Sequence, residues 1–212
     1  VFLISPSFSK KISNAFTLFS FFSLEDSLAN ILLEVLTYLT IFSIQFYVVF
    51  KAKHVFLNEL KNPSCYSKGL LFGALILASE FLLSYFINLF YTPEINANQN
   101  AINELVGNYP TLMIIITVII GPICEELTYR VGLYELLRKK NELFGFLLSG
   151  FIFAFVHIGF TDTTFLAEIT SFPIYLTIAY LLNLAYKKYG LAGSLTAHAF
   201  INLFSIISIL FI

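Results

Sequence analysis

The stretch Thr111-Leu-Met-Ile-Ile-Ile-Thr-Val-Ile-Ile-Gly-Pro-Ile-Cys-Glu-Glu-Leu-Thr-Tyr-Arg130 decides the fold. Residues 111–124 are a run of 14 with no charge. As a helix rising about 1.5 Å per residue they cover only about 21 Å. A bilayer's hydrocarbon core is about 30 Å thick. To cross it the helix must continue through Glu125, Glu126 and Arg130. Two adjacent carboxylates are thereby forced to membrane depth, where a charge costs about 2.5–3.5 kcal/mol on insertion scales. Side chains kept there face a cavity or a partner. Glu126 and Arg130 are four apart, share a face, and stand in the favourable order for a pair. Glu125, about 100° further round, is expected to point elsewhere. Pro122 removes a backbone donor and is expected to bend the helix. The plain alternative is a boundary Glu–Arg pair that only anchors the helix.

The rest of the chain agrees with a membrane setting. Of its 212 residues, 58% are hydrophobic and 12% charged, with a mean hydropathy of +0.84. Soluble domains carry about 25% charged residues. The charges cluster between apolar runs, and the net charge of -1 gives no reason to expect nucleic acid. Aromatic residues are plentiful (25 Phe, 12 Tyr) and tryptophan is absent, as suits lipid-facing and interfacial positions. Cys65 and Cys124 have no paired spacing and read as small apolar residues without a disulfide.

The expected class is all-α: a polytopic transmembrane bundle of about six spanning helices, plus an N-terminal interfacial or partly inserted helix at Ile12 to Leu24. The spans are expected near Ser27 to Phe50, Gly69 to Tyr91, Pro110 through Glu125, Leu143 to Phe160, Leu166 to Tyr186 and Leu191 to Ile212. Basic and non-basic connections alternate. Lys51, Lys53, Lys61 and Lys68 are followed by the segment Thr92 to Tyr109 without Lys or Arg. Arg138, Lys139 and Lys140 follow, then Gly159 to Phe165 without any, then Lys187 and Lys188. The excess of basic residues inside membranes' cytoplasmic loops places the Arg138–Lys140 and Lys187–Lys188 turns in the cytoplasm. The expected localisation is a bacterial plasma membrane.

Further polar residues fall inside the apolar runs. His157 lies in Phe153-Ala-Phe-Val-His157. The turn between the third and fourth spans centres near Asn141, 16 residues after Glu125 and 16 before His157, so an antiparallel pair sets the two level. His198 and Asn202, four apart, share a face of the sixth span, behind Gly190 and Gly193. On the same ruler His198 is shallower than Glu125; tilt or a longer cytoplasmic extension of the hairpin would reconcile them. Glu80 in the second span and Glu34 in the first have no evident partner, and Glu80 reads as lining a groove or sitting near an interface. His54 lies in a basic loop and reads as solvated.

Glu125-Glu126-x-x-x-Arg130, Phe153-x-x-x-His157 and His198-x-x-x-Asn202, in this order and on separate membrane helices, resemble the CPBP family. That family comprises type II CAAX prenyl endopeptidases and bacteriocin-processing or immunity proteins of the Abi type. The resemblance covers about Pro110 to Ile212. It implies a division into an N-terminal membrane region, 1–109, and a catalytic four-helix core, 110–212. It also implies roles: Glu125 and His157 activate water, His198 and Asn202 form an oxyanion hole, and Glu126 and Arg130 fix the site.

The residue chemistry supports an endopeptidase independently. Peptide hydrolysis needs an activated water, a stabilised oxyanion and a protonated leaving amine. A carboxylate in a low-dielectric cavity suits a general base, and Asn amide and imidazole N–H groups suit an oxyanion. Ser194 and Cys124 are alternative nucleophiles on paper. No cofactor is favoured, and zinc is the alternative: Glu125, His157 and His198 would supply three ligands with water as the fourth. The zincin motif His-Glu-x-x-His is absent and Arg130 adds positive charge, so metal-independent glutamate catalysis is preferred. The expected partners are the lipid bilayer and a peptide or membrane-associated protein substrate, in bacteriocin or pheromone maturation or in self-immunity. The competing classes are a non-catalytic membrane immunity protein of the same fold and a proton-coupled carrier. No inverted repeat speaks for the carrier.

Overall fold

The computed structural model describes residues 60, 62–91, 95–158 and 165–211, with scattered helical positions between 32 and 47. The expectations for Ile12 to Leu24, Glu34 and His54 concern residues outside these. So do most of Ser27 to Phe50 and parts of the connections at 92–94 and 159–164. The described residues are helical, with no strand among them.

Helix α1, Pro63–Asn88, opens on Asn62, whose Oδ1 accepts the Ser64 amide at 3.1 Å, with Pro63 at the first helical position. Both are strong start signals. Helix α3, Pro110–Arg138, runs on without a break through the glutamate pair, as the short apolar run requires. These two and the segment Phe165–Phe211 are long and apolar enough to cross a membrane. In α3's most apolar stretch 44% of residues are buried against 11% in α1, so α3 is the central helix and α1 flanks it.

The 47-residue segment Phe165–Phe211 is not one rod. At about 1.5 Å per residue a straight helix of that length would reach about 70 Å. At Gly190 the backbone turns to φ 65°, ψ -166°, a conformation that L side chains rarely adopt. This divides the segment into α5 (165–189) and α6 (191–211). Ile178, Ala179 and Leu182 pack in one cluster with Ala197 and Ile201, at matching distances either side of residue 190, as in an antiparallel hairpin. α1 packs along this hairpin. A Cβ on Gly69 would come within 2.6 Å of the Gly193 carbonyl oxygen, so glycine there is what allows the close approach.

Three features depart from the sequence reading. The non-basic connection contains helix α2, Ala97–Asn108, capped by Asn96, whose Oδ1 accepts the Gln99 amide at 2.9 Å. Its Ile102, Leu105 and Val106 are buried beside α3 and α6, against Met113, Ile116 and Ile206. Helix α4, Glu142–Val156, has 15 residues and stops before the expected Phe160. At about 22 Å it is short for a span. It ends in a tightened turn at His157 (φ -85°, ψ -2°), where the amides of His157 and Ile158 bond to carbonyls three residues back. Finally, Pro122 is absorbed by π-helical stretches at Ile115–Ile120 and Leu127–Tyr134 on either side of Gly121–Glu126. Such stretches are uncommon and are frequent at functional sites.

Candidate active site

The glutamate pair is carried on the short α-helical turn between the two π stretches of α3, and both carboxylates are fully buried. Arg130 is equally buried. Its Nη1 stands 3.2 Å from Glu126 Oε1, and its Nη2 donates to the Ala179 carbonyl at 3.3 Å. The guanidinium also lies over the Phe153 ring, 4.6 Å from its centroid. Two carbonyl or carboxylate acceptors and an aromatic face thus hold one charge in a protein interior, as a buried guanidinium requires.

Glu125 does not point away from its neighbour's partners. The His198 ring lies between the two carboxylates. Its Nδ1 is 2.9 Å from Glu126 Oε1 and its Nε2 is 3.6 Å from Glu125 Oε2. His157 approaches the same Glu125 oxygen from α4, Nε2 to Oε2 3.8 Å. The level placement of Glu125 and His157 is therefore observed. His198 nevertheless reaches the depth of Glu125, its Nε2 3.6 Å from Glu125 Oε2. Nearer the turns, the Tyr186 hydroxyl donates to Glu135 at 3.1 Å.

The hydrogen bonds fix which ring nitrogens face inward. His157 Nδ1 is 2.6 Å from the Phe153 carbonyl, which can only accept, so Nδ1 carries the hydrogen. His198 Nδ1 faces the Glu126 carboxylate and is likewise the donor. Both rings therefore turn Nε2 toward Glu125. Phe153 organises the group. Its ring lies 4.5 Å from that of His157, 5.9 Å from that of His198 and 5.1 Å from that of Tyr129, and its carbonyl orients His157. The sequence named Phe153 only as the first position of a motif; in a chain with 25 phenylalanines nothing marks one as special.

Asn202 connects to the glutamate pair through Pro122. Gly121 bonds to the Ile116 carbonyl, five residues back. In that register Pro122 would serve Thr117, but it has no N–H. Asn202 Nδ2 donates to the Thr117 carbonyl instead, at 2.8 Å. An amide carries two such hydrogens, so one remains. Glu125, Glu126 and Arg130 do not line the cavity; His157, His198 and Asn202 do, in a space of about 350 Å³ bounded also by Phe153, Tyr175 and Glu80. Thr117 and Tyr175 were not foreseen in the sequence.

The alternative nucleophiles stand apart. Cys124 packs in the apolar cluster with Met113, Ile116 and Ile206. Ser194 is buried, its hydroxyl 3.4 Å from the Leu191 carbonyl. Glu125, His157 and His198 are the set that would hold zinc. Among the described residues no three His, Cys, Asp or Glu side chains form a group fit to hold a metal ion as they stand.

Residues 107–204 match the family model described as type II CAAX prenyl endopeptidase Rce1-like. The UPF0177 protein YvdC of Lactococcus lactis subsp. lactis is 28% identical over 135 residues, which cover 63% of this chain and 49% of that protein. The UPF0177 protein YbdJ of the same organism is 41% identical over 86 residues, covering 40% and 34%. The chain thus spans half or less of the length of these curated relatives. No solved structure matches it. All three motifs fall inside the matched segment, which covers 98 of the chain's 212 residues.

Proposed function

We propose that the protein is an intramembrane endopeptidase that hydrolyses a peptide bond with water activated by Glu125 and His157. One observation carries this reading: two imidazole Nε2 atoms, 3.8 and 3.6 Å from one buried carboxylate oxygen, border a cavity of about 350 Å³. Glu125, as general base, takes a proton from that water while its oxygen attacks the substrate carbonyl. The tetrahedral oxyanion is held by the second N–H of Asn202 and by His198. For Nε2 of His198 to donate as well as Nδ1, the ring carries both protons. The proton on Glu125 passes to the leaving amine, directly or through His157, and the C–N bond breaks. Glu126 and Arg130 are positioning residues: they hold His198 and do not reach the reacting atoms.

The substrate is a peptide or membrane-associated protein segment, in bacteriocin or pheromone maturation or in self-immunity. The protein sits in a bacterial plasma membrane with its basic loops cytoplasmic, a reading supported by the bacterial source of both relatives. The test is cleavage of a quenched peptide library by detergent-purified protein, with Glu125→Ala and His157→Ala compared after thermal stability shows each is folded. Loss of cleavage in both supports the reading. Unchanged cleavage in both refutes the site, and a wild type that binds peptides without cleaving them favours a non-catalytic immunity protein. Inhibition by a chelator, reversed by zinc, would replace glutamate catalysis with a metal mechanism.

A further inference from the structure

Glu80 plays no part in the chemistry above, yet it shares the cavity with His157, His198 and Asn202. It stands on α1 among Leu77, Phe81 and Ser84, which also line the cavity at helical spacing, so this face of α1 is a cavity wall. A carboxylate inside a spanning helix is costly unless something answers it. The nearby asparagines donate to other groups. Asn98 Nδ2 donates to the Tyr175 hydroxyl at 3.1 Å, and Asn96 Nδ2 to the Ser171 hydroxyl at 3.0 Å. Among the described residues, Glu80 makes no ion pair and no hydrogen bond through its carboxylate. The α1 wall of the cavity therefore offers one acidic acceptor and, among the described residues, no cation to meet it.

We propose that Glu80 is a specificity-determining residue that binds a cationic group of the substrate: a lysine or arginine side chain, or an amino terminus. The ammonium or guanidinium supplies the charge that α1 lacks, and its ion pair with Glu80 registers the peptide in the cavity that His157 and His198 also line. The site so built prefers peptides with a basic group near the reacting bond over isosteric neutral ones. This rests on the endopeptidase reading for its purpose but not for its test, which measures binding alone.

The probe is three peptide pools offered to the immobilised full chain in detergent, with retained peptides quantified by mass spectrometry. One pool is N-acetylated with a single lysine, one N-acetylated with norleucine in its place, and one has norleucine with a free amino terminus. Wild type is expected to retain the lysine pool, the free-amine pool or both about tenfold over the neutral pool, the scale of one hydrogen bond to a charged group. Glu80→Gln is expected to bring the ratio to about one. Glu142→Gln, an exposed carboxylate control, is expected to leave it in place. A wild-type ratio near one, including the case where no pool is retained, overturns the proposal, as does a ratio that survives Glu80→Gln. Preference for lysine alone identifies the side chain as the cation, and preference for the free amine identifies the terminus. Either result holds whether or not a bond is cut, so failure of the peptidase reading and failure of this one are separately visible.

Discussion

Replacing Arg130 with methionine removes the only guanidinium at the centre of the site and leaves Glu126 fully buried with its charge uncompensated. The pair is 3.2 Å apart with both side chains at 0% exposure. Breaking one partner of such a pair costs about 3–5 kcal/mol, mostly the penalty of the stranded charge. In a chain of 212 residues each kcal/mol moves the melting temperature by about 2–4 °C. Arg130→Met is thus expected to lower Tm in detergent by about 6–20 °C. The Glu126→Gln, Arg130→Met double variant removes both charges and keeps an oxygen acceptor for His198 Nδ1, so it is expected to recover at least half of that loss. The assay is thermal unfolding of the four proteins of the double-mutant cycle, followed by intrinsic fluorescence. A fall of less than about 3 °C in Arg130→Met, or a double variant as unstable as the sum of the singles, would refute the argument that charge compensation is what Arg130 provides.

Further outcomes are expected. Asn202→Leu leaves the Thr117 carbonyl without its donor and should cost about 1–3 kcal/mol; adding Pro122→Ala restores an N–H in the right register and should return part of it, measured by Tm. The same Asn202→Leu is expected to lower kcat about 10²–10³-fold if Asn202 also holds the oxyanion, and that loss should not return with Pro122→Ala. Glu125→Gln keeps the side chain's shape and should abolish cleavage while holding Tm within about 2 °C; a large Tm change would mean that Glu125 serves structure. Gly69→Ala should destabilise, because its Cβ would meet the Gly193 backbone oxygen at 2.6 Å, whereas at Gly107 a Cβ meets nothing within 4 Å. Gly107→Ala is therefore expected to stabilise α2 by about 0.5–1 kcal/mol, and equal effects at the two glycines would contradict the packing described.

The parts of the site legible in the sequence were those that one-dimensional constraints reach. A run too short to cross a bilayer carries Glu125 and Glu126 inward whatever their neighbours are. Counting 16 residues either way from Asn141 sets His157 beside Glu125, because two helices leaving one turn keep step. What stayed hidden depends on contacts between distant positions. That Pro122 disables the Thr117 carbonyl could be anticipated, but not that a side chain 85 residues away would satisfy it. Rotation about one helix axis placed Glu125 away from Glu126, yet a single imidazole with two nitrogens reaches both, which no helical wheel of α3 alone reveals. Helix α2 did carry a signal. Asn96 is a good cap, and Ile102, Leu105 and Val106 follow at amphipathic spacing, but the polar composition of 97–108 drew attention to its missing basic residues instead.

The one-residue turn at Gly190 also limits how anything reaches the histidines. Two helices joined by a long loop can part at their seam and admit a guest sideways from the lipid. A pair clasped by a single glycine, with Ala179 and Leu182 buried against Ala197 and Ile201 just beyond it, has no slack near the clasp. That flank of the bundle is a closed hinge. On the other flank Phe81 of α1 and Asn98 and Gln99 of α2 border the cavity, so a peptide substrate of the proposed reaction is expected to enter there. The doorway and the lock would then be set in different walls: the groups that meet a substrate first lie on α1 and α2, outside the three motifs that carry the chemistry.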